Sequence, residues 1–310
     1  MKQAKSTRRY GLIGYPVKHS FSKAMHEAAF KACKIDATYE LFEVKPEELE
    51  DFLLNRKDWD CINVTIPHKV KAKEILERSY PYDKNIDNIQ PNLLDAILTG
   101  AINTVKRNEN RLDYWNTDAE GFIKSLEQDL GFELNNVQEP YKNVLLFGCG
   151  GAGRAVIAGL SWQQHRVDKI YVFDKSEKAI DSAKEYFKTI PGELPDRLAE
   201  KIEFLTESQI ADKIKECQLL VNASPIGMKK DDGSVIDKKL LHEDLFIYDV
   251  VYNRETQLVK DAKELNLKAV GGLGMLLYQG DVAFNLWTGK AAPVEIMRKV
   301  LEQELKKCQK

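Results

Sequence analysis

Apolar and polar residues alternate along the first third of the chain in blocks that predict short strands, each followed by a helix. Apolar runs at 10–14, 37–44 and 60–65 have the length and composition of strands. Each precedes a segment with an apolar stripe or a helix-start signal, such as Pro46 followed by acidic residues. The runs AINTVKR and LDYW flank a polar turn at 108–110 and predict a hairpin. We therefore expect an N-terminal α/β unit.

The rest of the chain has the same alternation with longer helical segments. Its predicted strands are NVLLF, KIYVFD, KIEFLT, QLLVNAS, LFIYDVVY and KAVGG. The segments between them have the length of right-handed crossovers, so they predict a doubly wound parallel sheet. Two helices are expected at the C-terminus, and the first places Met275, Gln279 and Ala283 on one face. A glutamine among core positions needs hydrogen-bond partners, which makes Gln279 a candidate for function.

Residues 79–99 interrupt the alternation of strands and helices. They hold two prolines and two patches rich in Asn and Asp before a short helical run. Clusters of this kind break regular structure, so we predict a partly irregular surface excursion there.

Composition narrows the class of partner. The chain has 310 residues, of which 43% are hydrophobic and 30% are charged, and this suits two globular domains with a core each. Its formal net charge is −2, with acidic and basic residues mixed throughout. Because no broad basic field results, we expect a small-molecule partner rather than nucleic acid or a membrane surface. A monomer and a homodimer both remain open.

The cysteines and histidines favour neither disulfides nor a metal site. The five cysteines are scattered and lack CxxC spacing, and the five histidines show no HExxH pattern. We therefore expect no metal and a reducing, cytoplasmic location. No run of about 18 apolar residues occurs, so neither export nor a membrane span is expected.

A glycine cluster follows the strand NVLLF and opens an apolar helix. Gly148, Gly150 and Gly153 stand in GxGxxG register, which allows a tight turn, close approach to a pyrophosphate and close helix packing. The free amide groups of the following helix would face the anion. Asp174 ends the next strand about 20 residues further on, where an acidic residue holds ribose hydroxyls. This pattern predicts a dinucleotide site.

Ser20 and Ser22 precede the apolar stripe of the first predicted helix. One of them is expected to cap the helix N-terminus. Two hydroxyl groups at alternate positions beside a helix N-terminus also suit a carboxylate, because the helix dipole favours an anion. Both interpretations remain open from the sequence.

Lys69 lies in the first turn of the helix that Pro67 is predicted to start. A cation is disfavoured there because the aligned peptide dipoles leave partial positive charge at a helix N-terminus. Such a departure from local preference often marks a functional site, but on composition alone a solvated surface lysine, like Lys71 and Lys73, is favoured. His68 is interpreted as a packing or surface residue. Asp118 opens another predicted helix, where an aspartate usually caps.

Eight motifs together carry a resemblance to a known family. In chain order they are GYPVKHSFSKAMH, INVTIPHK, GAINTV, WNTDAEGF, FGCGGAGRA, NASPIGM, VVYN and GLGMLLYQG. Their order resembles that of shikimate dehydrogenases, including the shikimate/quinate branch. The resemblance implies NAD(P)-dependent interconversion of 3-dehydroshikimate and shikimate in aromatic amino-acid biosynthesis. It also implies a substrate and catalytic domain at 1–118 plus 278–310, and a Rossmann-type dinucleotide domain at 119–277.

The resemblance assigns roles residue by residue. Lys69 and Asp118 would form the catalytic pair, in which Lys69 exchanges the proton and Asp118 orients Lys69. The substrate-binding residues would be Ser20, Ser22 and Tyr252 for the carboxylate, and Thr65, Asn103 and Gln279 for the ring hydroxyls. The cofactor-binding residues would be Gly148, Gly150, Gly151, Ala152, Gly153, Asp174, Lys175, Gly272 and Met275.

The triplet Asp174, Lys175 and Ser176 stands where family members that use NADP generally carry Asn-Arg-Thr. An aspartate repels the ribose phosphate, and lysine lacks the bidentate fork of arginine. We therefore expect a preference for NAD, with NADP as the alternative cofactor.

Three alternative functions are weighed against shikimate dehydrogenase. The chain could act mainly on quinate with NAD, or be a non-catalytic dinucleotide-binding regulatory protein of the same fold. Retention of Lys69, Asp118 and Gln279 together argues against the loss of catalysis. A metal-dependent enzyme is disfavoured by the histidine spacing.

Overall fold

A computed structural model describes residues 7–82, 91–138, 141–162, 165–190 and 194–308. The chain divides into two compact units. The first unit comprises Met1–Thr117 and Gln279–Lys307, and the second comprises Asp118–Tyr278 and Cys308–Lys310. The predicted functional roles of these units stay predictions.

Within the described ranges, the first unit is built on a five-stranded sheet. The strands are β1 (Arg8–Gly14), β2 (Ala37–Glu43), β3 (Cys61–Val64), β4 (Thr104–Arg107) and β5 (Leu112–Trp115). The helices before position 117 are α1 (Ser22–Ala32), α2 (Leu49–Leu54), α3 (Lys69–Ser79) and α4 (Pro91–Thr99). The sheet order is β2-β1-β3-β4-β5, with β1 parallel to both neighbours and β4 antiparallel to both. The predicted hairpin is therefore confirmed.

The two faces of this sheet carry different cores, because successive side chains of a strand alternate between faces. One face packs aliphatic residues with Trp59, including Ile62, Val64 and Leu76. On the other face Tyr10 and Tyr39 are register partners, and both rings pack near Trp287. Asn63 of β3 belongs to this second face, since it alternates with Ile62 and Val64.

The second half of helix α4 is buried, which corrects part of the predicted surface excursion at 79–99. Ala96 is fully buried and belongs to the aliphatic core, and Thr99 is also fully buried. The irregular part of the prediction falls largely on residues 83–90, which lie outside the described residues. The prolines and Asn/Asp-rich patches favoured a surface position in the prediction, whereas the apolar run that follows them is buried in the tertiary structure.

The second unit has a six-stranded sheet among its described residues. The strands are β6 (Lys142–Phe147), β7 (Val167–Phe173), β8 (Ile202–Phe204), β9 (Leu219–Asn222), β10 (Phe246–Asp249) and β11 (Ala269–Gly271). The α-helices are α5 (Asp118–Gln128), α6 (Gly151–Leu160), α7 (Glu177–Thr189), α8 (Leu194–Lys201), α9 (Ile210–Lys213) and α10 (Gln257–Glu264). The order is β11-β10-β9-β6-β7-β8, and every neighbouring pair is parallel.

This strand order confirms the predicted doubly wound fold. The chain runs outward from β6 through β7 to β8, then returns to β9 on the other side of β6. The connections therefore reverse direction between β6 and β9. Ligands of such sheets bind at the carboxyl ends of the strands beside this reversal.

Two C-terminal helices complete the described chain, α11 (Leu273–Thr288) and α12 (Val294–Cys308). The second half of α11 belongs to the first unit, where Trp287 Nε1 donates to Thr104 Oγ1 at 2.8 Å and Lys106 Nζ donates to the Leu286 carbonyl at 2.9 Å. In the part of the chain that the structure describes, every helix falls short of the length and apolar character that a bilayer crossing requires.

Candidate functional site

In the first unit, backbone hydrogen bonds bring together three of the predicted site residues. Thr65 leaves β3, and its amide donates to the Ile13 carbonyl at 2.9 Å. The Asn103 carbonyl accepts from the Val64 amide at 2.8 Å, and the Lys69 carbonyl accepts from the Ile102 amide at 3.0 Å. Thr65, Lys69 and Asn103 therefore lie at one edge of the sheet.

Lys69 lies in the first turn of α3 as predicted, although the helix begins at Lys69 itself and not at Pro67, and its side chain is partly exposed. The residue before it, His68, makes no side-chain cap. Instead the His68 ring is 1% exposed and its Nε2 lies 2.6 Å from the Val44 carbonyl, so His68 packs the turn. Placing an ammonium group at this helix N-terminus goes against the helix dipole.

Asn103 and Gln279 are brought into one buried polar network. Asn103 Nδ2 donates to Gln279 Oε1 at 3.4 Å and to Thr117 Oγ1 at 2.9 Å. Asn103 Oδ1 accepts from the Thr117 amide at 2.8 Å, and Thr117 Oγ1 donates to the Gln279 carbonyl at 3.0 Å. The partners expected for a buried Gln279 are therefore present. Thr117 was not among the predicted site residues, although its position inside the polar run WNTD was a signal.

Ser20, which precedes α1, contacts Ser22, the first residue of that helix. Ser20 Oγ donates to Ser22 Oγ at 3.1 Å and accepts from the Ser22 amide at 3.2 Å. The N-cap residue of α1 is Phe21, which has no side-chain cap, while Ser22 is the first helical residue. Neither serine occupies the N-cap position, so the expected serine cap is wrong, although Ser20 Oγ does accept from the first helical amide. The carboxylate role of both serines stays a prediction.

Two further predicted residues lie in the second unit. Asp118 is the first residue of α5 and is 6% exposed. Tyr252 follows β10 and is half-buried, and burial raises its pKa. The pairing of Asp118 with Lys69 and the contact of Tyr252 with a carboxylate stay predictions.

The glycine turn after β6 has the geometry of a phosphate-binding loop. A Cβ atom on Gly153 would lie 2.0 Å from the Gly148 carbonyl oxygen, and Gly148 has a φ of +92°. Helix α6 therefore packs directly on the turn. Cβ atoms on Gly150 and Gly151 would meet nothing within 4 Å, and these residues and Ala152 form the N-terminus of α6. Open space before free helix amides fits a pyrophosphate.

Gly272 and Met275 lie at the start of α11. A Cβ atom on Gly272 would lie 2.0 Å from the Val250 carbonyl oxygen, so this turn packs directly on the segment after β10. Met275 is 6% exposed in the first turn of the helix. The predicted apolar face of α11 is therefore buried, and the cofactor roles of both residues stay predictions.

The Asp174 carboxylate binds backbone amides at two turns. Its Oδ2 accepts from the Cys149 amide at 3.0 Å, and its Oδ1 accepts from the Ser176 amide at 2.8 Å. Asp174 thus joins the glycine turn to the start of α7, which Ser176 caps. Lys175 beside it is exposed.

A search for metal ligands covers only the described ranges. Within them, no group of three or more His, Cys, Asp or Glu side chains has an arrangement that could hold a metal ion.

Comparisons with known proteins agree with this arrangement. Residues 12–105 match the family model for the shikimate dehydrogenase substrate binding domain, and residues 272–302 match that for the shikimate 5'-dehydrogenase C-terminal domain. The chain is 36% identical to the shikimate dehydrogenase (NADP(+)) of Methanopyrus kandleri, over 97% of both chains. A crystal structure of a shikimate dehydrogenase in complex with NADP+ superposes with a TM-score of 0.77 at 32% identity, covering 97% of each chain.

The expected preference for NAD is wrong. The Methanopyrus relative is named for NADP+, as is a relative from Methanocaldococcus jannaschii that is 35% identical over 97% of this chain and 98% of its own. The prediction assumed that the Asp174 carboxylate faces the ribose and repels a phosphate. Both carboxylate oxygens bind backbone amides instead, so the aspartate by itself does not indicate NAD.

Fold, motif order and sequence identity lead to one assignment. The two units have the strand orders described above. Asn103 lies in the part matched by the substrate-binding model, and Gln279 lies in the part matched by the C-terminal model. Identity of 36% extends over 97% of the chain. The chain belongs to the shikimate dehydrogenase family.

Proposed function

We propose that this enzyme reduces 3-dehydroshikimate to shikimate reversibly with NADP(H), and that Lys69 exchanges the proton. The observation that carries the proposal is the gathering of Thr65, Lys69, Asn103 and Gln279 at one edge of the first sheet. These residues combine one ammonium group with neutral hydrogen-bonding groups. That combination suits a neutral, hydroxyl-bearing ring whose carbonyl oxygen gains charge during reduction.

Lys69 acts on the carbonyl oxygen. Reduction of a ketone leaves negative charge on oxygen, and a nearby ammonium group stabilises that charge more in the transition state than in the ground state. Lys69 then donates its proton to the oxygen, and accepts it in the reverse direction. The hydrogen bond from the Ile102 amide to the Lys69 carbonyl fixes the backbone of Lys69 at the start of α3. Asp118 orients Lys69 and accepts a hydrogen bond from a substrate hydroxyl.

The other polar residues bind and orient the ring. Asn103 and Gln279 hydrogen-bond each other through their amide groups, and both bind the ring hydroxyls. Thr65 adds a hydroxyl group at the same edge. Ser20, Ser22 and Tyr252 bind the carboxylate of the substrate through hydroxyl donors. Together these groups hold the ring so that its reacting carbon lies where reduction takes place.

The second unit provides the dinucleotide site. The α6 N-terminus at Gly150, Gly151 and Ala152 offers free amides to a pyrophosphate, and the adjacent space is open. Lys175 is an exposed cation beside the turn that Asp174 holds, where it attracts a ribose phosphate as a point charge. When bound, the cofactor supplies the hydride.

A steady-state assay with shikimate and NADP+ tests this proposal. We expect turnover of shikimate, and we expect Lys69→Ala to lower kcat by about 10²- to 10⁴-fold, the usual contribution of a general acid. Binding of NADP+, followed by fluorescence titration, should stay unchanged in Lys69→Ala. The matched control is Lys71→Ala, an exposed lysine of the same helix that pairs with Glu74 at 2.9 Å, and it should retain activity.

Two results would contradict the proposal in different ways. No turnover of shikimate by the unsubstituted protein would overturn the assigned substrate, and faster turnover of quinate would reassign it. Normal kcat in Lys69→Ala would overturn only the role of the lysine.

A further inference from the structure

We propose that Asp129 is a positioning residue, which caps the N-terminus of α11 from the end of α5 and so fixes the turn that carries Gly272 and Met275. This proposal rests on the proposed function, in which Gly272 and Met275 bind the cofactor. Asp129 acts through α11 and not by contact with the cofactor. The proposal gives a purpose to a buried cluster that the mechanism does not use, formed by Ser125, Asp129 and Tyr248.

Helix α11 depends on other segments for its N-terminal cap. It begins at Leu273, and the residue before it, Gly272, has no side chain with which to cap it. The first amides of a helix have no acceptor inside that helix, and they carry the positive end of its dipole. Within α11, the Leu276 amide donates to the Gly272 carbonyl at 3.1 Å. The amides of residues 273–275 therefore depend on acceptors outside the helix.

The Asp129 carboxylate lies against this first turn. A Cβ atom on Gly274 would overlap Asp129 Oδ2 and Ser125 Oγ, and it would lie 3.0 Å from Asp129 Cγ. Glycine at position 274 therefore leaves the space that the carboxylate occupies. A carboxylate beside a helix N-terminus is stabilising, because it accepts hydrogen bonds from free amides and offsets the helix dipole.

Asp129 is unfavourably placed with respect to its own helix. Helix α5 ends at Gln128, and the Asp129 amide still donates to the Ser125 carbonyl at 2.9 Å, so Asp129 continues the last turn. A negative charge there adds to the negative end of the α5 dipole. The same charge is favourable at the N-terminus of α11. The position of Asp129 is thus explained by α11 and not by α5.

A directed chain of hydrogen bonds holds the carboxylate in place. Tyr248 Oη donates to Ser125 Oγ at 2.8 Å, and Ser125 Oγ donates to Asp129 Oδ2 at 2.7 Å. Tyr248 and Ser125 are fully buried, and burial raises the pKa of Tyr248, so its hydroxyl keeps the proton that it donates. Each hydroxyl group has one proton, and both protons are directed towards the carboxylate. Because a buried hydroxyl without a partner is costly, the chain favours one position of Asp129.

The position of the first turn matters for the cofactor more than for the substrate. Met275 lies in this turn and is 6% exposed, and Gly272 directly precedes the turn. Gln279 lies one helical turn after Met275, and its side chain is held separately by Asn103 Nδ2 at 3.4 Å. Loss of the cap should therefore displace the residues proposed to bind the cofactor and leave the substrate contacts of Gln279 largely intact.

Asp129→Ala tests the proposal at a temperature where thermal unfolding shows the variant to be folded. We expect the Kd for NADP+ from fluorescence titration, and the KM for NADP+, to rise about tenfold, because small displacements of positioned groups are costly. The KM for shikimate should change less than about twofold, since the cap does not hold Gln279 directly. Asp129→Asn keeps an acceptor at the same place and should restore NADP+ affinity to within about threefold of that of the unsubstituted protein.

The matched control is Glu127→Ala. Glu127 is a partly buried carboxylate two residues before Asp129, and it lies on the other side of α5 because two residues turn a helix by about 200°. Its removal changes the charge at the end of α5 by the same amount as removal of Asp129. The Kd and the KM for NADP+ should stay unchanged in this variant.

Gly274→Ala is a second variant, which keeps Asp129 in the chain. The new methyl group takes the space of the carboxylate, so NADP+ affinity should fall by a similar factor. In the double variant Gly274→Ala with Asp129→Ala, the methyl group replaces a carboxylate that is already absent. The combined loss of affinity should therefore be smaller than the product of the two single losses.

The outcomes distinguish this proposal from the function on which it rests. Normal NADP+ affinity in folded Asp129→Ala, with only a lower midpoint of thermal unfolding, overturns the positioning role. Equal losses of affinity in the alanine and asparagine variants overturn the capping, and losses that multiply in the double variant overturn the shared action of Asp129 and Gly274. Absence of shikimate turnover by the unsubstituted protein overturns the proposed function, whereas the NADP+ titrations still decide the role of Asp129.

Discussion

The two units build their candidate sites from different parts of the polypeptide. In the first unit, side chains form the candidate site: Asn103, Thr117 and Gln279 hydrogen-bond one another, and Tyr39 and Asn63 extend the network. In the second unit, the backbone forms the candidate site. Glycines allow close approach of main-chain segments, and carboxylates bind main-chain amides.

This difference reflects the ligands that each unit is proposed to bind. A hydroxylated ring is recognised by donors and acceptors placed at particular distances, which only side chains in a fixed network provide. A pyrophosphate is recognised by charge and by a row of amides, which a helix N-terminus provides without any side chain. Substitutions should therefore act through hydrogen bonds in the first unit and through steric fit in the second.

The largest effect is expected from Gly153→Ala. The new methyl group would lie 2.0 Å from the Gly148 carbonyl oxygen, which is backbone and cannot turn aside. We expect a loss of about 3 kcal/mol in the free energy of unfolding, since overpacking of a tight contact forces backbone shifts. Because the turn would move, affinity for NADP+ should fall at least about tenfold. That change corresponds to a loss of about 1.4 kcal/mol in binding free energy. Urea unfolding and fluorescence titration measure both quantities.

Gly150→Ala is the matched control for that prediction. A Cβ atom there meets nothing within 4 Å, and Gly150 has a φ of −70°, which alanine adopts readily. Stability should stay within about 0.5 kcal/mol. NADP+ binding should nevertheless weaken, because the methyl group enters the space proposed for the pyrophosphate. Unchanged NADP+ binding in both variants would contradict the proposal that the dinucleotide binds at this turn.

An intermediate effect is expected from Thr256→Val, which tests a side-chain network inside the second unit. Asp249 is fully buried, and its carboxylate accepts from Thr256 Oγ1 at 2.6 Å, from the Val251 amide at 3.0 Å and from Asn222 Nδ2 at 3.0 Å. Burial raises the pKa of Asp249, against these three donors. Valine keeps the shape of threonine and removes one donor, so we expect a loss of about 1–3 kcal/mol in the free energy of unfolding.

Thr256→Ser restores the hydroxyl group and should recover most of this loss. Thermal or urea unfolding of the pair provides the measurement. Equal stabilities of the valine and serine variants would mean that Asp249 does not depend on the Thr256 hydroxyl, and the second unit would then rest on its backbone contacts even more than we infer.

The smallest effect is a pH dependence in the first unit. His26 is fully buried, and burial lowers its pKa from 6.5 to about 3. Below pH 6.5 the unfolded chain takes up a proton on this histidine and the folded protein does not. The contribution of His26 to the free energy of unfolding therefore falls as the pH decreases towards 3. The slope should be about 1.4 kcal/mol per pH unit.

Urea unfolding between pH 7.5 and pH 5 measures that slope in matched variants. We expect His26→Phe to show a shallower dependence on pH than the unsubstituted protein. His19→Gln is the control because His19 is exposed, and its slope should match that of the unsubstituted protein. Parallel curves for all three proteins would mean that His26 becomes protonated in the folded state without cost.

Local signals predicted most of the fold correctly, and the failures share one cause. The helix that opens at Asp118 does end near Gly131, whose φ of +69° suits glycine, and the β4–β5 hairpin forms where the polar turn predicted it. The error at α4 arose because proline and asparagine nearby outweighed an apolar run that pairs with the aliphatic core. Burial depends on partners distant in the chain, and no local pattern contains them.

The candidate site divides in the same way. Residue type and spacing made the glycine turn, Lys69 and Gln279 candidates, because each departs from what its local segment prefers. The family resemblance, and not spacing, assigned a role to Lys69. The polar run WNTD was a signal for Thr117, but no short segment reveals which groups Thr117, Tyr39 and Asn63 bond. Asp174 was assigned to the ribose because one of its amide partners is distant in the chain. The Cys149 amide, which Asp174 binds, belongs to a different strand–helix connection.

The amino-acid sequence by itself therefore determined the order of strands and helices, the glycine turn and the family, because each of these depends on residues that are close together in the chain. The tertiary structure decided which polar groups are partners. Hydrogen bonds are effective only over about 3 Å, and folding alone brings Asn103 to Gln279 and Tyr39 to Asn63 within that distance.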